Sequence, residues 1–208
     1  MAIKLDAFNF LHLISALAPF MVSFLLVMIS LFNQNLKGLI YLAGVLLATV
    51  INLIIMNTLG PFIGAYAEKN SQASVLCELV EIPFLKRYNI PSPSSVFLGF
   101  TLMYLLLPMA MSGQTNIGVV VFLLGLMVID AVSKVSNKCT TTPGIVSGTL
   151  LGGLMGTIWF ALFKETGHES LLYYEELQSN NVKCSRPSKQ TFKCSVYKNG
   201  EIISSSIA

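Results

Sequence analysis

The chain has 208 residues, 54% of them hydrophobic and only 11% charged, with a formal net charge of +3 at pH 7. An ordinary soluble domain carries about 25% charged residues, so this composition excludes a water-soluble globule and makes a lipid bilayer the solvent. So small a net charge gives no argument for nucleic acid as a partner, and it permits only weak attraction to anionic head groups.

Five apolar segments are predicted to cross the membrane, at about 8–32, 38–59, 96–111, 117–133 and 144–163. The first, Phe8 to Phe32, is too long for the apolar region of a cleaved signal peptide and should stay as a span. It carries Pro19, expected to kink it, and His12 about one turn inside the membrane. We read His12 as an interfacial histidine bonded to a carbonyl or head group; the rival role is a proton relay or ligand.

A tight connection, Asn33 to Lys37, makes the second span, Gly38 to Leu59, an antiparallel neighbour of the first. Asn52 and Asn57 on that span are expected to hydrogen-bond across helices. The long connection 60–94 has balanced charge, and Val75 to Leu85 is amphipathic enough to lie in the interface as a short helix. Pro91 and Pro93 are expected to stop any helix there and hold an extended turn. With no histidine and a single Cys77, the connection offers no metal site.

The third span, Val96 to Met111, joins the fourth, Ile117 to Ser133, through the turn Gly113 to Asn116. Asp130 and Lys134 stand four residues apart, which brings them to one helix face as an interfacial ion pair. A lone intramembrane aspartate would instead suggest function. The fifth span, Gly144 to Phe163, has no charge and has glycines at 148, 152 and 156. That spacing makes a flat stripe, and Gly148, Gly152 and Gly156 are predicted to let another helix approach closely.

An odd number of spans puts the termini on opposite sides of the membrane. Counting only Lys and Arg within about 20 residues of a span end, the positive-inside rule makes the N-terminal face cytoplasmic; counting the distal tail as well, the faces nearly balance. The tail, 164–208, begins with a predicted amphipathic helix around Ser170 to Leu177. It continues as a predicted β-hairpin, Thr191 to Tyr197 paired with Glu201 to Ser205, because Asn199-Gly200 is a two-residue hairpin turn. Cys184 and Cys194 either form a disulfide, which would stiffen so small a unit, or remain free buried thiols. Lys183, Arg186, Lys189, Lys193 and Lys198 form a basic face suited to solvent, an acidic protein partner or lipid head groups.

Two resemblances bear on function. Pro93-Ser94-Ser95-Val96, Ser133-Lys134, Thr140 and Gly144, followed by IVSGTLLGG, resemble a worn copy of the three motifs of the type 2 phosphatidic-acid phosphatase family. In that family a histidine nucleophile, an acid histidine and an orienting aspartate do the chemistry. Here Val96, Thr140 and Gly144 stand in their places, so the resemblance implies a scaffold without catalysis. The tail CSRPSKQTFKCSVYKNGEII, with CELVEIPFLKRYNIPSPSS and NKCTTTPG, resembles an uncharacterised membrane protein of large nucleocytoplasmic DNA viruses. That likeness implies a component of the virion's inner membrane, itself derived from host endoplasmic reticulum, lying beneath the capsid.

The expectation is therefore an all-α polytopic membrane protein with five transmembrane helices and a small C-terminal β-hairpin tail. Its expected role is structural and non-enzymatic, with the bilayer and capsid or other virion membrane proteins as partners, and without cofactor, metal or small-molecule substrate. The rival roles are a phosphatase-like membrane protein and a small transporter or channel.

Overall fold

A computed structural model describes residues 7–63, 90–113, 115–168, 171–173, 193–198 and 201–207. Five helices dominate it: α1 (Ala7–Phe32), α2 (Lys37–Ile63), α3 (Pro93–Met111), α4 (Ile117–Ser136) and α5 (Thr142–Glu165). Each is long and apolar enough to cross a membrane. Two short strands, β1 (Lys193–Lys198) and β2 (Glu201–Ile207), pair antiparallel with an irregularity between Val196 and Tyr197.

The helices outrun several sequence boundaries. α3 begins at Pro93 rather than Val96, which corrects the expectation that Pro93 blocks a helix. Ser92 is extended and stands at the N-cap position without a side-chain cap hydrogen bond, and proline suits the first helical position because its missing N–H has no partner there anyway. α5 likewise starts with Pro143 in its first turn, after Thr141. α4 continues three residues past Ser133, and α2 runs on to Ile63. α1 remains one helix through Pro19.

α3 is the central post. Its buried residues lie all round it, from Ser94 to Met109, and α5, α4, α2 and, more lightly, α1 pack against it. The outer helices each bury only a stripe. On α1 this is Ser15, Ala18, Val22, Leu26 and Ser30; on α2 it is Tyr41, Val45, Ala48, Asn52 and Met56. Spacings of three and four keep such residues on one face of a helix. Large apolar side chains such as Phe24, Leu46, Phe122 and Leu150 point outward, as lipid-facing residues do where the solvent is hydrocarbon.

The closest packing joins α3 and α5. Both begin at the same end of the bundle, so they run parallel. A Cβ at Gly148 would sit 2.8 Å from the Ser92 carbonyl oxygen, one at Gly156 would sit 2.5 Å from that of Phe100, and one at Gly152 would overlap the Val96 backbone. Gly99 returns the favour from α3, where a Cβ would lie 2.6 Å from the Thr149 carbonyl oxygen. Gly148, Gly152 and Gly156 thus form an intramolecular seam against α3. α2 is drawn onto the same pair by Trp159, whose indole N–H donates to the Ile40 carbonyl at 3.3 Å.

Beyond α5 the chain turns back. His168 N–H donates to Phe163 O, Leu171 N–H donates to His168 O, and Leu172 and Tyr173 are buried. The Tyr173 hydroxyl donates to the Leu26 carbonyl of α1 at 2.7 Å, and its ring meets Tyr104 edge-on. Of the helix expected around Ser170 to Leu177, only Leu171–Tyr173 is described, and it is a turn. The interfacial helix expected over Val75 to Leu85 lies outside the described residues.

Candidate functional site

The end of the bundle where α1, α3 and α5 begin and α4 finishes gathers most of its buried polar groups. Asp130 lies six residues before the end of α4, about 9 Å along the helix, and is 1% exposed. Its carboxylate accepts hydrogen bonds from Ser15 of α1 at 2.8 Å and from Ser94 of α3 at 2.7 Å. Lys134, one turn on, brings its ammonium to 3.4 Å from the same carboxylate and also donates to the Ser94 hydroxyl. One buried anion therefore ties three helices together.

The local physics explains why a carboxylate is tolerated here. Ser94 lies in the first turn of α3, where unsatisfied N–H groups and the positive end of the helix dipole favour a nearby negative charge. Two hydroxyl donors and one ammonium supply the partners that a buried carboxylate requires. The expected i,i+4 pair is present, and the Asp130 side is fully buried rather than interfacial; Lys134 keeps 19% exposure. Nothing local in the sequence links Ser15 or Ser94 to Asp130. Their separations of 115 and 36 residues carry no local signal.

The positions that resemble phosphatase motifs also lie at this end. Ser94 and Lys134 are in contact, and the Ser92 N–H donates to the Gly144 carbonyl at 2.9 Å. Val96, Ser133 and Thr140 are all buried. The hydroxyls of Ser95 and Ser133 are buried without a hydrogen-bond partner. Among the described residues, no group of three His, Cys, Asp or Glu side chains is placed to hold a metal ion.

A second cluster lies toward the opposite end. Tyr41, Phe100, Tyr104 and Tyr173 pack ring on ring with centroids 5.6–6.4 Å apart. The Tyr41 and Thr101 hydroxyls share a hydrogen bond of 2.8 Å, while that of Tyr104 is buried without a partner. Several apolar residues, among them Val96, Phe97 and Leu98, lie along α3 between this cluster and Ser94.

Other predicted residues fare differently. The amides of α2 do not bridge helices as expected: Asn52 donates within α2, to the Met56 sulfur at 3.5 Å, and Asn57 is exposed. Asn57 follows the buried stripe by one residue, and that step rotates it off the packed face. Cys139, in the α4–α5 connection, is buried and disulfide-bonded. The suggested pairing of Cys184 with Cys194 lies outside what is described, as do Lys183, Arg186 and Lys189 and the side chains of His12, Lys193 and Lys198. No family model, curated protein or solved structure matches the chain.

Proposed function

We propose that this chain is a non-enzymatic structural membrane protein of a viral particle. The five-helix bundle anchors it in the inner membrane, and the basic hairpin tail contacts minor capsid proteins or another membrane protein. The viral part of this reading is supported by the resemblance of the tail and the two connections. The structural part is supported by one observation: the Asp130 carboxylate is saturated by Ser15, Ser94 and Lys134. An anion held in this way from α1, α3 and α4 fastens the bundle together. Deleting residues 180–208 should leave membrane insertion intact and abolish recruitment to particles. Normal incorporation of the truncated chain would overturn the proposal.

A second reading, a phospholipid-phosphatase-like protein, is favoured by the contact of Ser94 with Lys134 and by the Ser92–Gly144 hydrogen bond. It predicts phosphate release from phosphatidic acid by the purified chain, lost in Lys134→Ala. Absence of release under conditions where the protein remains folded would leave the structural role.

A further inference from the structure

We infer that the level of the bundle containing Asp130 binds ordered water, admitted beside Lys134 and shared by Asn52, Ser95 and Ser133. This goes beyond the particle reading and does not depend on it.

Three buried side-chain atoms at this level lack a hydrogen-bond partner among the described residues: the hydroxyls of Ser95 and Ser133 and the carbonyl oxygen of Asn52. Each of these residues is 3% exposed or less. Ser133 follows Asp130 by one turn of α4, about 4.5 Å along the axis. Ser95 follows Ser94, whose hydroxyl donates to Asp130. The α1–α2 pair places Asn52. Where these helices meet at the far end, the Gly38 N–H donates to the Ser30 hydroxyl at 2.8 Å. From that contact Ser15 lies about 22 Å back along α1, and Asn52 about 21 Å onward along α2. Asn52 therefore stands level with Ser15, the other hydroxyl bonded to Asp130.

The backbone points the same way. α3 begins level with Asp130, about 9 Å inside the end of α4, so the non-helical residues 90–92 run at that depth, with Ile90 and Ser92 buried. Ser92 puts no side-chain cap on the first turn of α3, and the first N–H groups of a helix have no partner within it. Irregular backbone inside a membrane is tolerated where it is buried in protein or lines water. An unpartnered buried polar atom is costly, and water bridges such atoms where several polar groups lie together. Chemistry selects water over an ion. The Asn52 oxygen needs a donor and the two hydroxyls can give or accept, which suits water. The Lys134 ammonium already fills the place of a cation at Asp130, and the carboxylate repels an anion. Lys134, 19% exposed, leads from this level to the surface.

Two measurements on the full-length chain test this. In detergent micelles, Asn52→Leu and Ser133→Ala should each lower the unfolding midpoint, because each takes a hydrogen bond from bound water. In a dry interior the same changes relieve an unpartnered group. A midpoint that rises or stays in both variants would overturn the inference. The second measurement separates hydration from packing. Ser133→Cys and Leu123→Cys, at α4 positions that are both 3% exposed, are treated in proteoliposomes with methyl methanethiosulfonate. Modification at each position is followed by peptide mass spectrometry. The thiolate is the reacting species and forms where water reaches it, so Ser133→Cys should react about tenfold faster or more. Equal rates would overturn the inference even where the midpoints fall.

Discussion

Asp130 is the residue on which most depends. Its charge is acceptable because every partner is in place, and the same arrangement makes each partner costly to remove. Lys134→Ala leaves a buried carboxylate without its counter-charge and should lower stability by about 3–5 kcal/mol, measured as loss of the unfolding midpoint in detergent micelles. Asp130→Asn combined with Lys134→Met removes both charges and should cost clearly less than Lys134→Ala alone, because no unpaired ion remains. Ser15→Ala removes one hydrogen bond to a charged group and should cost about 1.5–3 kcal/mol. If all three variants unfold with the parent, the network does not hold the helices together.

At the scale of the element, the α3–α5 seam decides how closely the central post can be approached. Association of helices in lipid depends on van der Waals packing, because apolar side chains gain nothing over lipid tails. Backbone-to-backbone approach at Gly148, Gly152 and Gly156 is how this pair achieves it. Gly152→Leu should force the helices apart and abolish the monodisperse folded species on size-exclusion chromatography. Gly125, on α4, has open space around the position of a Cβ. Gly125→Ala should therefore be neutral or stabilising by up to about 1 kcal/mol, since alanine is the better helix residue. The contrast separates glycines that are needed for packing from one that is not.

For the whole molecule, the return of Leu172 and Tyr173 into the bundle means that the tail starts from a fixed point. Tyr173 buries a ring among tyrosines and donates a hydrogen bond to α1. Tyr173→Phe should cost about 1 kcal/mol, the usual net worth of a hydrogen bond. Tyr173→Ala should cost about 3–5 kcal/mol, as for other large-to-small changes at aromatic sites. Tyr173→Ala should also speed tryptic cleavage at Lys164, followed by gel analysis of purified protein. Unchanged cleavage would mean that the tail is held elsewhere.

Sequence alone determined the solvent, the number of helices and the small-residue stripe. These follow from composition, segment length and a four-residue period, all of them local properties of the chain. It also paired Asp130 with Lys134, because that spacing is one helical turn. It misjudged Pro93, since a proline can stop a helix or start one and only the packing of this end of α3 on α5 decides between them. Only the tertiary structure brought Ser15 and Ser94 to Asp130, matched the glycine stripe to α3 rather than to a second copy, and seated Tyr173 against Leu26. The physical reason is common to all three. Which faces meet across a bundle depends on contacts between residues far apart in the chain, and the hydrophobic pattern of a membrane helix cannot specify them when lipid and protein interior are equally apolar.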